Sequence, residues 1–317
     1  MHKYFITGGA GFIGSHLTKF LLKNNTVTVY DNFCSGTKKH LKSVLNNKKL
    51  KIITGDLKNL KRLKQKIKNH DFVIHCAANP DIAKAAYFPD VDFWEGTYLT
   101  QNLLEAMRIN KIKNIIYMSG SGVYGENNKN VFTENYSPKN PISTYGASKL
   151  ACEALISSYS NMFLMNALIF RFANVVGSYQ THGVGYDFIK KIKQNNKKIK
   201  ILGNGKQKKS YIYISDVINA IVISIKKTKL YKKKKIYQIF NVGTNDSITV
   251  NEILKITLSE MKIKKIKINK DKSLRGWSGD VPIIKLICKN IKKLGWKPKF
   301  NSNQAIHNSI KEMIKYT

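Results

Sequence analysis

Acidic residues are scarce in this chain: 19 Asp and Glu stand against 55 Lys and Arg, a formal net charge of +36. A balance this basic raises nucleic acid as a partner. Two further scarcities argue against it. Arginine, whose planar fork suits phosphate and base recognition, occurs only at Arg62, Arg108, Arg171 and Arg275. The densest lysine runs, 226–235 and 262–272, carry few aromatic side chains on which bases could stack. Lys, Ile and Asn are abundant together along the whole chain, so the excess reads as solvated surface, compatible with a modest attraction for anionic substrates. No specific nucleic-acid partner is expected.

Cysteine is limited to Cys34, Cys76, Cys152 and Cys288, with no CxxC pair and no histidine at zinc-ligand spacing. That excludes a sequence-encoded structural metal and points to a reduced, cytoplasmic protein. No apolar run approaches the ~18–20 residues of a membrane span. A glycine-rich pattern starts at residue 8, which leaves no room for a secretory leader ahead of it.

Strand-like and helix-like segments alternate through the first half. KYFIT, TVTVYD, KIITGDL, FVIHCAA, NIIYMSG and ALIFRFANVVG read as strands, with helical patterns such as HLTKFLLKN and KNLKRLKQKIKNH between them. This alternation predicts an α/β fold, a Rossmann-type doubly wound parallel sheet. After about residue 174 the pattern loosens into short strands and helices. We expect residues 1–173 to form the dinucleotide-binding domain, completed by about 206–240, and residues 174–317 to supply a smaller α/β substrate-binding region in interleaved segments.

Thr7-Gly8-Gly9-Ala10-Gly11-Phe12-Ile13-Gly14 places glycines where a chain must turn tightly after a strand and let its backbone approach a pyrophosphate. Gly8, Gly11, Phe12, Ile13 and Gly14 are thus cofactor-contact candidates. About twenty residues on, Asp31 ends the second strand, where its carboxylate can accept ribose hydroxyls and would repel a 2′-phosphate; NAD is favoured over NADP. Asn32 stands beside it. Asp56 and Leu57, after the third strand, are placed to meet the adenine, and Ala77 and Ala78 let backbone pass close to the cofactor.

Tyr145 and Lys149 are four residues apart in the helical pattern TYGASKLACEALISSY, so both project from one face. A free tyrosine ionises near pH 10, and only about one in a thousand is ionised at pH 7. Making it a base near neutrality takes roughly 4 kcal/mol, about what one ammonium supplies at ~4 Å and an effective dielectric near 20. Lys149 can therefore make Tyr145 a usable general base and can hold the nicotinamide ribose.

With TGGAGFIG, YDN, GDL, HCAANPD, VYGE, NPISTYGASK, RFANVVG, ILGNGKQ, YIYISD, GDVP and LGWKPK in order, the chain resembles the extended short-chain dehydrogenase/reductases, specifically the nucleotide-sugar epimerases and dehydratases typified by UDP-glucose 4-epimerase. The resemblance covers nearly the whole chain. It implies tight NAD binding, oxidation of a sugar C4 hydroxyl, return of hydride to the other face, and a homodimer pairing the Tyr145 helix with the helix around Leu103–Met107. Tyr145 would be the C4-hydroxyl base, and Asn174 would contact the nucleotide-sugar. Arg275, ahead of Gly279-Asp280-Val281-Pro282, would grip the diphosphate, aided by Lys209.

Some positions depart from the family pattern. Four residues before Tyr124 the family places a catalytic Ser or Thr, and here stands Gly120. Ser119 and Ser121 flank it, and we expect Ser121 to serve. The 4,6-dehydratases place an Asp-Glu pair next, where this chain has Ser121-Gly122, which disfavours elimination. Lys209-Ser210 replaces an Arg-Asp pair, and Gly96 occupies a position often held by Asn. The leading expectation is an NAD-dependent C4 epimerase of a UDP-hexose or UDP-N-acetylhexosamine, serving surface polysaccharide synthesis. Its rivals are a nucleotide-sugar 4-dehydrogenase or 4,6-dehydratase and a non-catalytic NAD-binding sensor.

Overall fold

KYFIT is apolar on both faces, the signature of a strand covered on both sides, and it forms β1 (Lys3–Thr7) inside a seven-stranded sheet. The computed structural model describes every residue except 128–130, 232–234, 278 and 317, so part of the lysine run 226–235 lies outside the described residues. The sheet continues with β2 (Thr26–Asp31), β3 (Leu50–Thr54), β4 (Phe72–His75), β5 (Asn114–Gly120), β6 (Asn166–Phe172) and β7 (Tyr237–Val242). All neighbours are parallel, in the order β7-β6-β5-β4-β1-β2-β3. The winding direction reverses between β1 and β4, and ligands of such sheets bind at the strand C-termini beside that reversal.

The helices are α1 (Phe12–Leu21), α2 (Leu60–Lys66), α3 (Tyr98–Ile109), α4 (Thr144–Phe163), α5 (Val184–Gln194), α6 (Ile214–Thr228), α7 (Val250–Glu260), α8 (Lys289–Lys293) and α9 (Ser302–Met313). Side chains alternate across the sheet as a strand requires. Tyr4, Ile6, Val27, Val29, Ile116 and Met118 pack with α1 and α6, while Phe5, Tyr30, Ile115 and Tyr117 pack with α3 and α4. Each fully buried Leu, Ile or Phe stabilises by about 1.5–3 kcal/mol. The lysine-rich segment KNLKRLKQKIKNH yields only the two turns of α2, because Asn59 caps its start by accepting from Arg62 N and Asn69 takes a left-handed conformation soon after its end.

After β6 the chain leaves the sheet and builds a separate apolar cluster from Phe188, Ile189 and Ile192 of α5, Ile253 and Leu254 of α7, and Ile306 and Ile310 of α9. Short strands stitch this side together. Tyr211–Tyr213 runs parallel to Asn174–Val176, and Lys208–Lys209 sits between Ile248–Thr249 and Ile283–Leu286. Between α6 and the strand Ile248–Thr249 the chain returns to the sheet to lay down β7, and it leaves again to supply α7 and α9.

A buried ionic network backs β5. The Arg171 Nη2 of β6 lies 2.6 Å from Glu153 Oε2 of α4, and Ser119 Oγ donates to Glu153 Oε1 at 2.6 Å. Arg171 Nη1 also donates to the Tyr124 hydroxyl, which donates to Asn241 Oδ1 of β7 at 2.7 Å. Among the described residues, no helix is long and apolar enough to cross a membrane.

Candidate active site

The loop after β1 can turn into α1 only because it lacks side chains. Gly8 adopts φ +65°, and a Cβ there would lie 2.7 Å from Ala77 N, on the loop after β4. A Cβ on Gly14 would run into the Gly8 carbonyl oxygen. Two loops therefore touch at the reversal of the sheet and leave free backbone N–H groups at the start of α1, where no side chain caps the helix. Asp31, at the end of β2, is buried and fixed: Oδ2 accepts from Ala10 N at 2.9 Å and Oδ1 from Phe33 N at 2.8 Å. Asn32 Nδ2 donates to Asp56 Oδ2 at 3.1 Å, joining the loops after β2 and β3.

These residues form part of the wall of a cavity of about 820 Å³, within the range of small-molecule and cofactor sites. Gly8, Gly11, Phe12, Ile13, Gly14, Asp31, Asn32, Asp56, Leu57, Ala77 and Ala78 all line it. So do Ser121, Tyr145, Lys149, Asn174 and Lys209. The structure thus gathers onto one wall system residues that span more than half the sequence.

The N-terminus of α4 is seated for this purpose. Ser143 caps it by accepting from Gly146 N, and Asp92 receives Thr144 Oγ1 at 2.8 Å and Asn79 Nδ2 at 2.9 Å through its carboxylate and Ser148 Oγ through its carbonyl. Gly146 permits close approach, since a Cβ there would meet the Gly122 carbonyl. Lys149 is buried; its Nζ donates to Met118 O at 2.8 Å and lies 5.5 Å from the Tyr145 ring centre. The hydroxyls of Tyr145 and Ser121 have no hydrogen-bond partner among the described residues.

Gly120 ends β5 extended, and a Cβ on it would meet nothing within 4 Å. It lines the cavity, so the family's hydroxyl position is open space here. Ser119 is committed to Glu153 on the other face of the strand. Ser121 begins the short helix Ser121–Tyr124; both serines line the cavity beside Gly120, and Ser121 is the one whose hydroxyl is not committed to Glu153. At Gly96 the space for a side chain is taken by Ser148 Oγ, which explains the glycine.

The structure places the two basic candidates for the diphosphate grip differently. Arg275 does not line the cavity: its Nη2 bridges to Glu126 Oε2 at 2.9 Å and its Nη1 donates to Asp280 O at 3.0 Å. A half-buried guanidinium with a carboxylate in reach takes that partner. Lys209 does line the cavity, with its ammonium paired to the Asp280 carboxylate. Asn174 lines the cavity and donates through its Nδ2 to Ser210 O at 3.1 Å.

The fold also brings in residues that the sequence did not single out. Gln180 Oε1, His182 Nδ1, Gln207 Oε1 and Ser309 Oγ are buried without a hydrogen-bond partner among the described residues, and all four residues line this cavity. A buried polar atom left unmade costs about 1–3 kcal/mol, so such atoms mark where a ligand completes the structure. Burial also holds the His182 imidazole below its ordinary range, with Asp81 pulling the other way. Burial thus favours the neutral ring, which can donate or accept.

A glycine-cradled strand-to-helix turn, an acid closing the second strand and a Tyr-x-x-x-Lys helix facing them across a cavity define a Rossmann-type protein of the short-chain dehydrogenase/reductase class. The chain belongs to the NAD dependent epimerase/dehydratase family, whose model matches residues 4–243. It is 34% identical over 316 residues to a Methanocaldococcus jannaschii protein provisionally described as a UDP-glucose 4-epimerase, covering 97% of each chain. It is 28% identical to the dTDP-D-glucose 4,6-dehydratase of Homo sapiens, covering 97% of this chain and 89% of that one. Its fold is similar to the crystal structure of UDP-glucuronic acid 4-epimerase from Bacillus cereus in complex with UDP-glucuronic acid and NAD, with a TM-score of 0.88, 26% identity, and 99% and 100% of the two chains covered.

Proposed function

We propose that this protein is an NAD-dependent nucleotide-sugar 4-epimerase acting on a UDP-hexose or UDP-N-acetylhexosamine. The observation that carries the reading is the placement of Tyr145 and Lys149 on the wall of the same cavity as the glycine cradle, with an uncommitted tyrosine hydroxyl. The residues fit the cofactor: Gly14 admits no side chain, and the fixed Asp31 carboxylate offers its remaining lone pairs to ribose hydroxyls. NAD, when bound, supplies the acceptor and donor for hydride at sugar C4. Tyr145 takes the C4-hydroxyl proton, with Lys149 stabilising the phenolate beside it. Ser121 hydrogen-bonds the C4 oxygen in place of the side chain that Gly120 lacks. Turning of the oxidised sugar within the cavity would present its other face, and Tyr145 would then return the proton to the C4 oxygen.

The dehydratase relatives support a second reading, elimination across C5 and C6. That reaction calls for a proton donor and a base next to the hydroxyl position, and Ser121-Gly122 provides no carboxyl group. We also infer a homodimer through α3 and α4, because Trp94, Ile109 and Met162 leave large apolar surface exposed on or beside those helices. The decisive experiment is proton NMR of the anomeric region with UDP-glucose and UDP-N-acetylglucosamine, with NADH followed by absorbance. The galacto isomer without net NADH is the expected result; net NADH points to a 4-dehydrogenase, a 4-keto-6-deoxy product to the dehydratase, and no change in either sugar to the sensor.

A further inference from the structure

The segment between strand Asn174–Val176 and α5 enters the cavity with glycines at both ends, Gly177 at φ +156° and Gly183 at φ +96°. Glycines at both ends favour mobility, yet the segment carries two of the cavity's unpartnered polar atoms, Gln180 Oε1 and His182 Nδ1. Something must hold it. Tyr179 sits in a left-handed conformation, φ +70°, that tyrosine adopts only where its surroundings impose it. Its ring packs at a tilt against His40, 4.6 Å between centres, and His16, 5.4 Å, and the Lys19 ammonium lies over it at 4.2 Å. Tyr316, at the end of the chain, closes the cluster at 5.3 Å.

Each neighbour is itself fixed to a different part of the protein. His40 is hydrogen-bonded through Nδ1 to Ala10 O in the glycine loop, at 2.8 Å. His16 Nε2 is bonded to Ser178 O. Glu312 of α9 accepts from Ser178 N at 3.0 Å and from the Tyr213 hydroxyl at 2.6 Å. Tyr179 is therefore the wedge between the cofactor loop, α1 and the C-terminal helix, next in sequence to a residue that waits for a ligand.

We propose that Tyr179 is a positioning residue for substrate binding: it sets the 178–183 segment so that Gln180 and His182 meet hydroxyl groups of the bound sugar nucleotide. The inference rests on the reading of the cavity as a nucleotide-sugar site. A sugar hydroxyl both donates and accepts, so it satisfies an amide oxygen and either tautomer of a neutral imidazole.

The test is steady-state kinetics with UDP-glucose, with bound NAD and thermal midpoint measured on the same preparations. Tyr179→Ala raises KM about tenfold while kcat and NAD content stay within about twofold. Tyr179→Phe, which keeps the ring, brings KM back to within about twofold, and Gln180→Ala and His182→Ala each raise KM by roughly fivefold. An unchanged KM in Tyr179→Ala overturns the proposal. So does a joint loss of kcat, NAD and thermal midpoint, the mark of a residue that supports only the fold. Should the wild-type protein turn over no UDP-hexose, the failure belongs to the epimerase reading. Calorimetric Kd values for UDP-glucose then decide here: a weaker Kd in Tyr179→Ala supports the wedge, and an equal Kd or no binding by the wild type overturns it.

Discussion

Two sets of residues on the cavity wall are built on opposite principles. Around the glycine loop, the polar groups are already paired within the protein: Asp31 with Ala10 N and Phe33 N, His40 with Ala10 O, Asn32 with Asp56. Elsewhere on the wall Gln180, His182, Gln207 and Ser309 keep buried atoms without partners among the described residues. The first set is preorganised, so a ligand there loses little to rearrangement. The second is completed by whatever binds. That difference suits a cofactor that stays and a substrate that comes and goes.

The comparison can be broken most sharply at the chemistry between the two sets. Tyr145→Phe should lower turnover by about a thousandfold or more while NAD stays bound; retained turnover would remove Tyr145 from the mechanism. Next in size is Gly14→Ala, whose methyl group meets the Gly8 carbonyl. We expect NAD affinity to fall by about tenfold to a hundredfold, measured by calorimetry on stripped protein. An affinity equal to wild type would show that the cradle has slack.

A gain should come from Gly120→Ser, because the new side chain enters open space. If the missing hydroxyl limits the rate, kcat rises on the order of tenfold. A fall would show that the substrate itself occupies that space. Arg275→Ala should change KM by less than about threefold, as a half-exposed ion pair contributes little; a larger rise would mean that the arginine leaves Glu126 for the diphosphate when substrate binds.

The smallest effect concerns acid stability. Burial lowers the folded-state pKa of His16, His40, His70 and His182, and pushes His75 from 6.5 down to about 3. The unfolded chain then binds more protons than the folded one below about pH 6.5, so stability is full above that value and declines as pH falls towards the folded-state values. Thermal midpoints should drop by a few degrees between pH 7 and pH 5. A flat profile would show that these imidazoles are better hydrated than their packing suggests.

What the sequence made legible was local. The TGGAGFIG turn, Asp31 at a strand end and the Tyr145–Lys149 pair each depend on neighbours within a few residues, and the parallel sheet follows from their alternation. What escaped depended on long-range meetings. Arg275 finds Glu126 149 positions away, and Lys209 finds Asp280 71 positions away; no spacing rule announces either. Gln180 and Ser309 look like ordinary polar residues until burial strips their water. Gly120 was visible as an anomaly, but only the fold shows that the vacancy opens into the cavity.

The return of the chain to lay down β7 has a consequence for modularity. Asn241 of that strand receives the Tyr124 hydroxyl, and β7 pairs with β6 along its length. The two halves of the molecule therefore cannot be traded as a single cassette cut near residue 173. A chimera that borrows a relative's version of the outer cluster needs three junctions, two flanking the excursion between β6 and β7 and one after β7 ahead of α7, or it leaves the sheet without its edge. Inheritance of new specificity in this architecture is then expected to proceed by substitutions within loops rather than by exchange of whole pieces.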